Sequence, residues 1–178
     1  LVAVPDANSY VVSPGQSRLW MVEHIRAAGP SPFHMHATLM LPGKLNRKAL
    51  DQALAMIYQR HEALRTCFRG NAYGVPEQIV VPAALVATNV CWLDEVLDDS
   101  QLTEQAQLHS STAFDLGCAP LLRVAAAERE TGGSVLFITL HHIISDGWSM
   151  GIFSRELSSL YDLYSTGPAV DSDAFNEL

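Results

Sequence analysis

The sequence has few basic residues and no run of them. Among 178 residues, 11 are lysine or arginine and 19 are aspartate or glutamate, which gives a formal net charge of −8. Nucleic-acid-binding proteins neutralise phosphates with clustered lysine and arginine side chains. The scattered basic residues of this chain therefore argue against nucleic acid as a partner.

Long hydrophobic runs and paired cysteines are also missing. No apolar stretch approaches the roughly 20 residues of a membrane-spanning helix, and the first ten residues, LVAVPDANSY, do not resemble a signal peptide. The three cysteines, Cys67, Cys91 and Cys118, form no C-x-x-C motif, as expected for reduced thiols. These absences predict a cytoplasmic protein that does not contact a membrane.

The sequence is rich in apolar residues that follow the periods of helices and strands. Its 48% hydrophobic content predicts a sizeable core in one domain, or in one lobe of a larger domain. Helical spacing and end signals predict helices within 13–29, 46–64, about 100–113, and from Gly147 to just before Gly167.

Alternating and fully apolar runs predict five strands between these helices. They cover residues 33–41, 65–68, 77–81, 121–130 and 134–140. The TGG sequence between the last two predicts a hairpin, which excludes a purely parallel sheet. The order of elements indicates a layered α/β fold with a mixed sheet.

Two histidines and an Asp-Gly pair lie close together in ITLHHIISDGWSMGIF, residues 138–153. His141 and His142 end the apolar strand, and Asp146 and Gly147 precede the last helix. Functional residues of α/β proteins concentrate at such strand ends. This position makes the four residues candidates for a functional site.

A metal site is one interpretation of the histidines, because imidazole and carboxylate groups bind Zn²⁺ and Fe²⁺. Adjacent strand residues point to opposite faces, however, so His141 and His142 cannot easily bind one ion. Further ligands would have to come from His34, His36 or His109, whose spacing matches no known motif. We therefore expect no metal.

Two interpretations without a metal remain. Histidines can simply cap a strand and bond to backbone carbonyls, and this interpretation is preferred for the histidines outside the pair, His24, His34, His36, His61 and His109. For residues 141–147 we favour base chemistry. One imidazole would accept or steer a proton in a cleft while its neighbour holds the loop, and the glycine would let a substrate approach the backbone.

Three stretches resemble motifs of one enzyme family. HHIISDGWS (141–149) resembles the HHxxxDG motif of the condensation domains of nonribosomal peptide synthetases. RHEALRTCF (60–68) resembles the family segment RHExLRTxF. SPGQSRLW (13–20) resembles SxAQxRLW, with Gly15 in place of the usual alanine. The three motifs follow the family order.

The resemblance implies a chloramphenicol acetyltransferase-like lobe, with a mixed, largely antiparallel β-sheet flanked by helices. Residues 1–170 would form the N-terminal lobe of a condensation domain, and residues 171–178 would begin the linker to a C-terminal lobe. The later family segment YxDFAxW is not in this sequence. Because the family active site opens between the lobes, this chain would carry one wall of it.

The resemblance also implies a reaction and its partners. Condensation domains join a donor acyl or peptidyl thioester to an acceptor aminoacyl thioester, and both substrates are delivered on the 4'-phosphopantetheine arms of carrier proteins. No cofactor would be bound. The expected partners are the donor and acceptor carrier proteins, the C-terminal lobe and adjacent synthetase domains. The segments HEALRT and HHxxxDGWS resemble the corresponding segments of domains that join an L-donor to an L-acceptor.

The family motif assigns expected roles to individual residues. His142 would lie beside the attacking amine and accept its proton or position it, and His141 would support the loop. Gly147 would line the substrate tunnel, and its amide would bond to the substrate.

Asp146 would point away from the tunnel and hold the loop through an arginine. Arg60 and Arg65 are the supporting residues expected for this pair, unless a residue of the missing lobe takes that role. Alternatively, the two arginines are solvated charges at the end of a helix.

Two other functions remain open at this stage. An isolated lobe would serve as a non-catalytic module that binds carrier proteins. An epimerisation domain would use the same loop to move an α-proton, although SPGQSRLW and RHEALRT fit condensation better.

Overall fold

The computed structural model describes residues 7, 9–26, 29–87 and 90–166. In these residues four helices are interspersed among seven strands. The elements are β1 (Tyr10–Val11), α1 (Pro14–Ile25), β2 (His34–Leu41), α2 (Arg47–Arg60), β3 (Thr66–Gly70), β4 (Pro76–Val80), β5 (Cys91–Leu97), α3 (Asp99–Ser111), β6 (Leu122–Arg129), β7 (Ser134–His141) and α4 (Gly147–Thr166). Short 3-10 turns lie at Glu62–Arg65 and Ala83–Leu85.

The strands form two sheets. The larger has the order β2-β7-β6-β5, in which β2, β7 and β6 are antiparallel and β5 is parallel to β6. The smaller sheet, β1-β4-β3, is antiparallel. The predicted mixed, largely antiparallel architecture and the predicted β6–β7 hairpin are therefore confirmed.

Strand β7 runs through the centre of the larger sheet and is buried along its whole length. Helices α2 and α4 cover one face of this sheet with an apolar stripe from each helix, and α3 packs on the other face. The buried stripe residues are Leu50, Ala53, Leu54 and Ile57 of α2, with Phe153, Leu157 and Leu160 of α4. Because each large apolar side chain contributes about 1.5–3 kcal/mol when it is buried, this packing fixes the end of β7 relative to the start of α4.

Local sequence signals set the start of α1. The Ser13 side chain accepts the Gln16 N–H, and the Gln16 side chain accepts the Ser13 N–H, which makes a capping box with Pro14 in the first turn. The predicted helix start is confirmed. The outer face of α1 is apolar, since Met21 is 50% exposed, Val22 is 45% exposed and Ile25 is 84% exposed.

The structure corrects the interpretation of His61. Helix α2 ends at Arg60, so His61 lies outside the helical stripe. Its backbone N–H donates to the Ile57 carbonyl at the end of α2, and its imidazole Nε2 lies 2.6 Å from a carboxylate oxygen of Glu156 on α4. The ring is therefore bound by a carboxylate that joins α2 to α4, and not by a backbone carbonyl.

Strands β1 and β5 are not among the predicted strands. Strand β5 lies at a sheet edge, carries the charged Asp94 and Glu95, and shifts register between Trp92 and Val96, so it has no regular alternation. The predicted linker, 171–178, lies outside the described residues. None of the described helices is both long enough and apolar enough to cross a bilayer.

Candidate active site

The candidate site is the tight turn between β7 and α4. The turn closes on the carbonyl oxygen of His141, which accepts the Ile144 N–H at 3.1 Å and the Ser145 hydroxyl at 3.1 Å. Helix α4 then begins at Gly147. A buried strand on one side and a packed helix on the other hold the turn at both ends.

His142 is the exposed histidine of the pair. Its backbone N–H donates to the Phe33 carbonyl at 2.7 Å, and its imidazole Nδ1 lies 2.6 Å from the Ser145 carbonyl oxygen. Because a carbonyl oxygen can only accept, Nδ1 carries the hydrogen. In the neutral ring the lone pair is therefore on Nε2, which is the tautomer that a proton acceptor requires.

His141 lies on the opposite side of the strand and is only 1% exposed. Its Nδ1 accepts the Ile143 backbone N–H at 3.0 Å, so in the neutral ring the hydrogen is on Nε2. That Nε2 lies 3.5 Å from the Glu23 carboxylate, which is too long for a full hydrogen bond. Burial lowers the pKa of His141 to about 4, so the ring is neutral near pH 7.

Asp146 is exposed and caps helix α4. Its carboxylate accepts the Ser149 N–H at 2.8 Å and the Ser149 hydroxyl at 2.6 Å. These hydrogen bonds lower the pKa of Asp146 below its ordinary value. The carboxylate also favours the helix start through the helix dipole.

The expected arginine partner of Asp146 is not found among the ion pairs of the described residues. Arg60 lies 3.6 Å from a carboxylate oxygen of Glu156. Arg65 donates to the Glu62 carboxylate at 3.1 Å and to the Val81 carbonyl at 3.0 Å. In the described residues both arginines therefore contact acidic residues other than Asp146, and the Asp146 carboxylate accepts its hydrogen bonds from Ser149, one helical turn ahead.

Gly147 faces open space. A Cβ atom added to it would meet no atom within 4 Å, and the next residue, Trp148, is 81% exposed. The first turn of α4 therefore has room beside it for another molecule or another part of the protein.

The remaining histidines bond to protein groups. His24 bonds to the Trp20 carbonyl, and His34 donates to the Ser110 carbonyl at 2.7 Å. His36 and His109 instead share the hydroxyl of Thr139, so their bonds are not to backbone carbonyls as predicted. No three histidine, cysteine or acidic residues in the described part of the chain are placed to hold a metal ion.

Helix α1 contributes two polar side chains to the site that sequence reasoning missed. Gln16 donates from its amide to the Ile143 carbonyl at 3.3 Å, and Glu23 lies beside His141. Gln16 belongs to the recognised SPGQSRLW segment, which was a usable signal. Glu23 has no local signal, since its contact joins residues 118 positions apart.

Comparisons with known proteins identify the family. The Condensation domain family matches residues 6–176. The chain is 35% identical over 170 residues to malpinin synthetase of Mortierella alpina, which covers 94% of the chain and 2% of that protein. It is 35% identical over 165 residues to chondramide synthase of Chondromyces crocatus, which covers 91% of the chain and 4% of that protein.

Solved structures agree with this result. The X-domain from teicoplanin biosynthesis, in a complex with OxyB, superposes with a TM-score of 0.75 at 28% identity, covering 95% of this chain and 36% of that one. The first condensation domain of the calcium-dependent antibiotic synthetase, with a bound substrate analogue, gives 0.80 at 20% identity, covering 95% and 41%. The chain therefore spans well under half of these structures, and it belongs to the condensation domain family of nonribosomal peptide synthetases.

Proposed function

We propose that this chain is the N-terminal lobe of a condensation domain that forms an amide bond between two carrier-bound substrates. The donor would be an acyl or peptidyl thioester and the acceptor an aminoacyl thioester, each on a phosphopantetheine arm. The observation that carries the proposal is the geometry of His142. Its Nδ1–H is held by the Ser145 carbonyl at 2.6 Å, which leaves the Nε2 lone pair on an exposed face.

The proposed step exchanges a C–S bond for a C–N bond and moves one proton from nitrogen to sulfur. The acceptor amine nitrogen attacks the donor thioester carbonyl, a C–N bond forms, and the C–S bond breaks to release the thiol of the donor arm. The proton lost by the amine is accepted by His142 Nε2, or the amine is positioned by this atom, and the proton finally resides on the departing thiol. A correctly placed base contributes about 10²–10⁴-fold in rate.

The other turn residues support this step without taking part in it. His141 is buried and neutral, and holds the turn through Ile143. Asp146 fixes the start of α4 through Ser149. The open space beside Gly147 suits the approach of a substrate to the backbone.

The reaction requires a second lobe in this proposal. The chain covers 36–41% of the two solved chains compared above, and His142 is exposed. The apolar outer face of α1, with Met21, Val22 and Ile25 exposed, supports a covering partner. We therefore expect little or no condensation by this lobe alone, and activity when the C-terminal lobe is restored.

The substrates follow the family motif. We propose an L-configured donor and acceptor, because the sequences of residues 60–68 and 141–149 resemble those of domains that join such substrates. The partners would be the two carrier proteins and the neighbouring synthetase domains.

The test is a condensation assay read by intact-protein mass spectrometry. Donor and acceptor carrier proteins are loaded with L-aminoacyl groups and mixed with this lobe alone or with the complete two-lobe domain. We expect dipeptide on the acceptor carrier only when both lobes are present. Inversion of the aminoacyl group without dipeptide would instead identify an epimerisation domain.

A histidine variant completes the test. His142→Ala in the complete domain should abolish the dipeptide or reduce its rate by about 10²–10⁴-fold. His24→Ala, which changes an exposed histidine on α1, serves as the matched control and should leave the rate unchanged. Wild-type turnover by His142→Ala would refute the catalytic role.

A binding module is the second candidate function. The observation that favours it is the similarity to the X-domain solved in a complex with another protein, OxyB. In that case no dipeptide would form with one lobe or with two, and the measurable property would be the affinity for a partner protein.

A further inference from the structure

We propose that Glu23 is a positioning residue of this active site, which sets the tautomer of His141 and, through the turn, the tautomer of His142. The inference rests on the proposed function for the part that concerns catalysis. Glu23 lies on α1, 118 positions before His141, and its carboxylate is 3.5 Å from the His141 Nε2.

The carboxylate of Glu23 is held in place as an anion. Arg26 donates to Oε2 from Nε at 3.2 Å and from a terminal nitrogen at 3.1 Å, and the Ser31 hydroxyl donates to Oε1. Burial raises the pKa of Glu23, but these hydrogen bonds outweigh it, and the pKa lies below its ordinary value. The side chain is 13% exposed, so solvent screens its charge only weakly.

Arg26 is itself anchored to the backbone. Its other terminal nitrogen donates to the Gly29 carbonyl at 3.0 Å and to the Pro30 carbonyl at 2.8 Å. The guanidinium therefore holds the Glu23 carboxylate between α1 and the segment that leads into β2. Such an anchored charge keeps one orientation toward His141.

A fixed anion beside a neutral imidazole selects between its two tautomers. An Nε2–H facing Oε1 is attracted to the carboxylate, whereas an Nε2 lone pair facing it is repelled. Glu23 therefore favours hydrogen on Nε2 of His141 and a lone pair on Nδ1. The His34 ring, with its centroid 5.7 Å from that of His141, does not compete as a charge because burial lowers its pKa.

The Nδ1 lone pair of His141 then shapes the turn. It accepts the Ile143 N–H at 3.0 Å, and the turn that follows places the Ser145 carbonyl 2.6 Å from Nδ1 of His142. That carbonyl fixes the hydrogen of His142 on Nδ1 and its lone pair on Nε2. The two adjacent histidines thus have opposite tautomers, and the series of contacts that sets them begins at Glu23.

Glu23→Gln is the informative substitution, because it keeps the shape and exchanges an oxygen for an NH₂ group. Arg26 donates two hydrogen bonds to Oε2, so the amide oxygen should face Arg26 and the NH₂ group should face His141. A donor there favours a lone pair on Nε2 of His141 and hydrogen on Nδ1, which can no longer accept the Ile143 N–H. Glu23→Asp keeps the acceptor on a shorter side chain and should restore the wild-type tautomer in part.

The experiment uses the complete two-lobe domain with ¹⁵N-labelled histidine rings. Nitrogen NMR near pH 7 reports which ring nitrogen of His141 and of His142 carries hydrogen. We expect Nε2–H for His141 and Nδ1–H for His142 in the wild type, and a shift toward Nδ1–H for His141 in Glu23→Gln. Glu128→Gln, at an exposed pair with Lys44, is the matched control and should change nothing.

Kinetics separate positioning from binding. For Glu23→Gln we expect kcat to fall about 10–100-fold, by analogy with the loss caused by removing the groups that orient metal-binding histidines. The KM for the acceptor carrier should stay within about twofold, because Glu23 is not proposed to touch the substrate, and Glu23→Asp should regain part of the rate.

Three results would overturn the proposal. They are hydrogen on Nδ1 of His141 in the wild type, an unchanged tautomer in Glu23→Gln, and a lower kcat that follows only from a lower melting temperature. The wild-type tautomer is measurable even if Glu23→Gln fails to fold. Failure of the proposed function would appear differently, as an inactive wild-type domain with the tautomers as expected.

Discussion

The carboxylate of Asp146 receives two hydrogen bonds from Ser149, at 2.8 Å from the backbone N–H and at 2.6 Å from the hydroxyl. The loop that follows His142 is therefore held by the first turn of helix α4. This arrangement makes the Asp-Gly pair a helix start as well as a motif.

Substitutions at Asp146 distinguish helix capping from an ion pair with the other lobe. Asparagine caps helices about as well as aspartate, whereas alanine does not. If capping is the main role, Asp146→Asn should keep the melting temperature of the complete domain and Asp146→Ala should lower it. Differential scanning calorimetry of both variants measures this.

An ion pair with an arginine of the second lobe predicts another result. Asp146→Asn and Asp146→Ala would then lower the melting temperature equally, because both remove the charge.

The lowered pKa of Asp146 also predicts how its contribution to stability depends on pH. Its stabilisation should be present above the ordinary pKa near 3.8 and be lost as the pH falls through the lower folded-state value.

Gly147 and Gly151 offer a matched pair in helix α4. Neither glycine has an atom within 4 Å of an added Cβ, so alanine should fit at both, and Gly151→Ala should stabilise the helix interior by up to about 1 kcal/mol. Gly147→Ala should nevertheless lower kcat/KM for condensation if the substrate passes this backbone. Gly151→Ala should leave kcat/KM unchanged.

The result that would contradict this prediction is equal activity of the two variants. Urea unfolding of each variant provides the control for folding. If Gly147→Ala were destabilised, steric conflict with the second lobe would be the reason, and the rate could not be interpreted alone.

Local signals predicted most of the fold. Ser13 and Pro14 marked a helix start, the TGG turn marked a hairpin, and the stripe from Leu50 to Ile57 marked a buried helix face. These features depend on neighbours within a few residues, where period and capping chemistry decide the structure. The edge strand β5 lacks such a period and was missed.

The candidate site was only partly predictable for the same reason. The opposite orientations of His141 and His142 follow from strand geometry and are confirmed by their burial. The contact between Glu23 and His141 requires α1 and β7 to pack together, which no local pattern reveals. The hydrogen bonds that Asp146 accepts from Ser149 fit its position directly before a helix, where aspartate is a preferred N-cap residue.

Thr139 links two half-buried histidines, His36 on β2 and His109 on α3. Its hydroxyl lies 2.8 Å from Nδ1 of His36 and 3.0 Å from Nδ1 of His109, and the side chain is fully buried. Thr139→Val keeps the shape but leaves both imidazoles without this hydrogen-bond partner. We expect the free energy of unfolding to fall by about 2 kcal/mol.

Thr103 on α3 is the matched control for Thr139. It is exposed and bonds only within its helix, so Thr103→Val should change the free energy of unfolding by less than about 0.5 kcal/mol. Urea denaturation of the complete domain measures both. Equal effects would show that the hydroxyl of Thr139 contributes no more than a surface group.

Acid should destabilise the fold through its buried histidines, before most carboxylates titrate. Burial lowers the pKa of His141 from 6.5 to about 4, and burial together with Arg123 and His36 lowers the pKa of His109 to about 4. Between these values the unfolded chain binds more protons than the folded one. The free energy of unfolding must therefore fall as the pH falls from about 6.5 toward 4.

His141 alone should account for about 3 kcal/mol of this loss at the acid end, since each pKa unit corresponds to about 1.4 kcal/mol. Melting temperatures of the complete domain between pH 7 and pH 5 test the sign in a range where Glu23 and Asp146 stay ionised. His109→Gln removes one titrating group and should flatten the profile, whereas His24→Gln, at an exposed position, should not. A profile that is flat in the wild type would mean that both rings take up protons in the folded state, and that the neutral, tautomer-fixed His141 does not exist near pH 6.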